Sequence, residues 1–114
     1  MTPEWLHLPY YLKHFLHEHD LGNVAGADGA LRLMPGLVRI PDVSFISWDR
    51  LSDRSIPTDA LPDLTPDLAV EILSEGNTPG EMDRKLRDYF FAGTRPVWYI
   101  DSQRRSVRVY TSPG

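Results

Sequence analysis

The 114-residue chain contains no cysteine, which removes disulfides and thiolate metal sites and makes a cytoplasmic home the expected one. No apolar run approaches the ~18 residues a membrane-crossing helix needs, and the N-terminus lacks the basic-then-apolar layout of a secretory signal. No membrane partner is therefore expected. Positive charge is not in excess either: 12 Lys and Arg against 16 Asp and Glu give a formal net charge of −4. Any nucleic-acid role must then rest on a local basic patch or on bound metal. No Gly-rich phosphate loop follows an apolar run, which argues against a nucleotide-binding or phosphatase-like enzyme. Internal repeats and low-complexity tracts are also missing. What is present, 41% apolar and 25% charged residues, suits one folded domain over residues 1–114.

The stretch from Pro66 to Tyr89 organises the rest. Leu68-Ala69-Val70-Glu71-Ile72-Leu73 is a nearly continuous apolar run behind Pro66-Asp67, the pattern of a strand covered on both faces. Glu71 sits in its middle, where an ionised carboxylate is costly unless paired or bound to a cation. A helix should follow, with Thr78 as N-cap, Pro79 at the first helical position and Glu81 closing a capping box. Met82, Leu86 and Tyr89 form its apolar stripe, and Lys85 borders that stripe. An acid inside a strand is thus followed by a base on a helix over the same sheet.

Elsewhere, Pro9 suits the first position of an N-terminal helix with Leu12, Phe15, Leu16 and His19 on one face and Leu21-Gly22 as its stop. His14, His17 and His19 invite a metal reading, but a solvated helix face is the plain one. Residues 23–29 read as a strand start and turn. Leu31 and Leu33 alternate with Arg32, Met34-Pro35-Gly36 reads as a turn, and Leu37 to Ile46 reads as a second strand. Period-two spacing puts Val38, Ile40, Asp42, Ser44 and Ile46 on one face of it. Residues 48–65 should be a long surface loop with a short helical turn near Asp49 to Leu51. Ala92-Gly93 ends the central helix, Val97 to Asp101 makes a buried strand, and Val107 to Tyr110 a half-exposed one. This is an α/β (α+β) order, a mixed sheet with helices packed on it.

Side chains opposite each other on adjacent strands have Cβ atoms ~5 Å apart, so Asp42 and Glu71 could share one cation if their strands pair in that register. Asp67 lies ~13 Å from Glu71 along one strand, too far to do so. Two carboxylates, the Ile72 carbonyl and waters make a hard oxygen site suited to Mg²⁺ or Mn²⁺. Lys85 could orient an attacking water or stabilise charge on a phosphoryl group, the chemistry of metal-assisted phosphodiester hydrolysis. Ser74 and Asn77 are placed to order water nearby. A plainer reading stands beside this one: Glu71 and Lys85 as a partly buried ion pair, with Asp42 capping a turn. Arg84, Arg87, Arg104, Arg105 and Arg108 form either a phosphate-facing patch or a solvated surface.

Residues Arg39-Ile40-Pro41-Asp42-Val43-Ser44-Phe45, Pro66 to Ser74, Asn77 to Lys85, Tyr89 to Gly93 and Val97 to Asp101 together resemble the Uma-type putative restriction endonuclease family of the PD-(D/E)XK nuclease superfamily. The resemblance spans residues 20–112. It rests on several motifs in order, since Pro-Asp alone also occurs at Pro62-Asp63 and Pro66-Asp67. It implies a restriction-endonuclease-like αβββαβ core and a bacterial, Mg²⁺- or Mn²⁺-dependent endonuclease acting on DNA. Asp42 and Glu71 match the family's acids and Lys85 its basic residue. Three departures stand out: Leu73 occupies the E-x-K lysine position, Ser74-Glu75-Gly76 replaces Ser-Pro-Ser, and members usually carry more sequence, with a further Glu, before the first strands. A shortened domain is expected on that ground. The alternative function is a catalytically inactive nuclease-fold binding or assembly module. Self-pairing of the Val107 to Tyr110 edge would make a homodimer.

Overall fold

The computed structural model describes residues 11, 14, 15, 18–25, 29–51, 61–101 and 103–112. Seven strands and one long helix are defined among them: β1 (Gly22–Ala25), β2 (Leu31–Met34), β3 (Leu37–Arg39), β4 (Val43–Ser47), β5 (Leu68–Leu73), α1 (Pro79–Ala92), β6 (Val97–Asp101) and β7 (Ser106–Tyr110). Five strands form a mixed sheet in the order β1-β4-β5-β6-β7, with only β5 and β6 parallel. The α1 connection between those two is what a parallel pair requires. β2 and β3 form a separate two-stranded hairpin, turned by Gly36 at φ +80°, a conformation glycine adopts without a Cβ penalty.

The helix forms as its sequence directs. The Glu81 N–H donates to Thr78 Oγ1 at 3.1 Å, Pro79 occupies the first turn, and Gly93 closes the C-terminus at φ +104° with its N–H returned to Phe90. Leu86, Tyr89 and Phe90 are buried against Ile46, Ala69, Val97 and Tyr99, together with Leu31 and Leu33 of the hairpin. Helix and hairpin therefore cover the same sheet face. Val24, Val43, Val70 and Ile100 form a second core on the opposite face, which is why β5 carries apolar residues at nearly every position.

Two sequence expectations need correction. Leu37 to Ile46 is two strands, because Pro41 has no N–H to donate to a ladder. The chain turns a corner there, leaving the hairpin and entering the main sheet at Val43. The expected shared face breaks at the same point: Val38 and Ile40 are exposed whereas Ser44 and Ile46 are buried. Gly22 is not a helix stop. The helical residues end at His19, Asp20 takes the left-handed conformation at φ 52°, and Gly22 opens β1, where a Cβ would meet the Ile46 carbonyl oxygen at 2.2 Å. The short helical turn falls at Trp48–Arg50, one residue before its expected place. Pro9, Leu12, Leu16 and His17 lie outside the described residues, as does most of the loop after Leu51.

Candidate active site

Three elements bring polar groups to one spot under α1. The β4–β5 register pairs Val43 with Val70 and Ser44 with Ala69; continued one step it would set Asp42 opposite Glu71, and Asp42 lies near enough for its charge to act on the Glu71 carboxyl. Asp42 lies at the bend just before β4. Its Oδ2 accepts the Ile72 N–H at 2.6 Å, so the side chain extends the ladder one rung past the last backbone pair. Glu71 is only 5% exposed. Its Oε1 accepts the Tyr89 hydroxyl at 2.7 Å, and its Oε2 lies 3.7 Å from Lys85 Nζ, an ion-pair distance too long for a hydrogen bond. Lys85 and Tyr89 are four residues apart on α1 and so share a face.

Burial holds the Glu71 carboxyl above its ordinary range. The Tyr89 hydrogen bond and the Lys85 ammonium pull it back down, the Asp42 charge pushes it up again, and the Arg39 guanidinium pulls it down. The Tyr89 hydroxyl is itself driven well above the usual tyrosine value by burial and by the adjacent carboxylate. It therefore acts as a fixed hydrogen-bond donor and not as an acid.

Arg39, Asp88 and Tyr89 were not singled out as site residues by the sequence. Arg39 reaches from β3 to pair with Asp88 on α1, fastening the hairpin to the helix beside Glu71. Its Nε is buried without a partner among the described residues, as is Ser44 Oγ. Lys85-x-x-x-Tyr89 spacing could have pointed to Tyr89. Nothing local links Arg39 to Asp88, which lies 49 residues further along.

Other candidates go elsewhere. Asp67 accepts from the Ser47 N–H and from Arg50 Nε, both at 2.7 Å, clamping the turn after β4. Asn77 Oδ1 takes both the N–H and the hydroxyl of Ser74, which commits the pair to the turn before α1. Of the arginines, Arg87 pairs with Asp83, Arg104 with Asp101, and Arg108 bonds Tyr110. His14 pairs with Glu18 at 3.1 Å on an exposed helix face, the solvated arrangement expected of it. Among the described residues no three His, Cys, Asp or Glu side chains gather closely enough to hold a metal on their own, and no helix is long and apolar enough to cross a membrane.

Comparison with known proteins adds to this geometry. The chain resembles a crystal structure of a putative nuclease belonging to DUF820 from Anabaena variabilis, with a TM-score of 0.71 at 16% identity over 93% of this chain and 64% of that one. At that identity the likeness speaks for the fold, a nuclease-like one, and the chain spans 64% of the other's length. A search of curated proteins found no match. The model of the Uma2 family, described as "Putative restriction endonuclease", matches residues 6–114. Since that match runs through the hairpin, the Asp42 corner, the Glu71 strand and the Lys85 helix, the chain belongs to the Uma2 family.

Proposed function

We propose that the protein is a divalent-metal-dependent endonuclease of the PD-(D/E)XK type that hydrolyses phosphodiester bonds in DNA. The observation that carries this reading is the meeting at Glu71 of Asp42 from the neighbouring strand register and Lys85 from the overlying helix. The donor set suits a hard cation. Asp42 Oδ1 has no partner among the described residues, and Glu71 Oε2 has only the distant ammonium. Those two oxygens, with the Ile72 carbonyl, would hold Mg²⁺ or Mn²⁺, which when bound supplies polarisation of a phosphoryl oxygen and a more acidic water. Tyr89 holds Glu71 in one orientation through its hydroxyl. Lys85 places a positive charge where negative charge builds as water adds to phosphorus and the leaving oxygen departs.

The test is cleavage of plasmid DNA with Mg²⁺ by the native protein, Asp42→Ala and Glu71→Gln, with folding checked by circular dichroism. Each substitution should lower the rate by about a thousandfold or more. Cleavage that persists in both would remove the assignment. A second reading, a nuclease fold that binds without cutting, is favoured by the absence of a third acid among the described residues. Titrating Mn²⁺ into the native protein and the double variant separates the two. Equal, negligible heats favour the non-cutting module, and binding by the native protein alone favours the enzyme.

A further inference from the structure

On the other flank of α1, between the helix and β6–β7, lies a cleft of about 570 Å³ that neither Asp42 nor Glu71 lines. Its floor is aromatic and apolar. Tyr99 and Tyr110 meet edge to face with ring centroids 5.3 Å apart, and Met82 and Leu86 close the wall. The volume suits a molecule of small-ligand size and is too small for a duplex.

The rim carries charge of both signs, and its charges are not equally engaged. Glu75 accepts from the Gln103 amide at 3.0 Å, Asp83 pairs with Arg87 at 3.1 Å, and Asp101 accepts the Gln103 and Arg104 N–H groups at 3.1 Å each. Arg108, by contrast, bonds only the neutral Tyr110 hydroxyl, at 3.3 Å. Asp83 and Asp101 are paired with Arg87 and Arg104, whereas neither Glu75 nor Arg108 has a counter-charge among the described residues. The Tyr110 ring beside a guanidinium without a counter-charge matches a ligand with an aromatic base and an anionic group.

We propose that this cleft binds one unpaired nucleotide of a DNA strand, with its base against Tyr110 and Met82 and its phosphate at Arg108. The inference deepens the nuclease reading and rests on it for the identity of the polymer. The cleft opens on the sheet face that also carries Glu71, because Tyr99 is the β6 register partner of Glu71. Base stacking of this sort is sequence-tolerant, since every base has a flat face.

The experiment is calorimetric titration of the full chain with dAMP in EDTA, so that metal-dependent chemistry plays no part. Saturable binding is expected, about tenfold tighter than inorganic phosphate because the base contributes. Arg108→Glu and Ser106→Trp alter exposed β7 positions at the cleft, and each should weaken dAMP by about tenfold or more. Asp42→Ala, which tests the nuclease reading, should leave dAMP affinity unchanged. Failure to saturate, equal affinity for phosphate, or indifference to both β7 variants would overturn the cleft assignment. So would loss of dAMP binding in Asp42→Ala, which would move the nucleotide to the acids. None of these outcomes depends on whether the protein cleaves DNA.

Discussion

On its β4 side α1 presents Lys85, Asp88 and Tyr89 to Glu71 and Arg39, and on its β7 side Met82, Asp83 and Leu86 border an open cleft. The first flank has taken charged groups out of water: the Glu71, Lys85, Arg39 and Asp88 side chains are all no more than a quarter exposed. The second keeps its ions wet, with Arg87 and Asp83 more than half exposed. Desolvating charges costs free energy that their attraction barely returns, and well-packed apolar residues usually serve stability as well. The β4 flank is therefore an arrangement that stability alone does not call for, and it is the one the proposed function uses. The β7 flank is a surface with room for a guest.

The comparison can be broken most forcefully at Asp88. Asp88→Ala leaves Arg39, already short of a partner for Nε, with its other bond gone and most of its side chain still buried. Breaking a fully buried pair costs about 3 to 5 kcal/mol, and the partial exposure of this one reduces the expected loss to about 2 kcal/mol. A lower urea midpoint at unchanged m-value is the measurement. A shift no larger than that of an exposed pair would mean that the hairpin is not held to α1 through these two residues.

A smaller effect tests Glu71. Its folded carboxyl takes up a proton above the unfolded value of 4.5, so between those two points the folded state binds more protons than the unfolded one. The contribution of this group to stability therefore falls as pH rises through that window. Tyr89→Phe removes the hydrogen bond that pulls the carboxyl down, which extends the window upward. The variant should lose about 1 kcal/mol at neutral pH, and should lose more than the native protein on going from about pH 5 to about pH 8. Glu71→Gln abolishes this dependence and should be no less stable than the native chain at neutral pH. Parallel pH profiles for all three proteins would remove the claim that burial burdens Glu71.

Much of this is legible in the sequence. The helix is, because Thr78, Pro79 and Gly93 are local signals whose geometry is set within a turn. The Glu71 strand is, because burial on both faces leaves an unbroken apolar run. The opposition of Asp42 and Glu71 is legible only as a condition on strand register, which the β4–β5 pairing meets. What escaped was long-range or ambiguous. Leu37 to Ile46 has the pattern of one strand, whereas the chain turns at Pro41 between two sheets. Gly22 looked like a helix stop because a glycine after a helix usually is one, and only the closeness of β1 to β4 shows its other use. The Arg39–Asp88 fastening depends on where the hairpin lands, which no local pattern encodes.

The smallest effect belongs to the β7 flank. Asp83 and Arg87 are four residues apart on α1 and 3.1 Å from each other, geometrically a better pair than Lys85 and Glu71 at 3.7 Å. Distance alone would rank it as the more stabilising. Solvent removes that advantage, because an exposed pair gains little in high dielectric, immobilises two flexible side chains and is screened by salt. Asp83→Ala should therefore cost no more than about 0.5 kcal/mol, an effect that fades as salt is raised. A loss comparable to that of Asp88→Ala, or one that persists in high salt, would show that the β7 flank is as desolvated as the β4 flank and that the cleft is closed in solution.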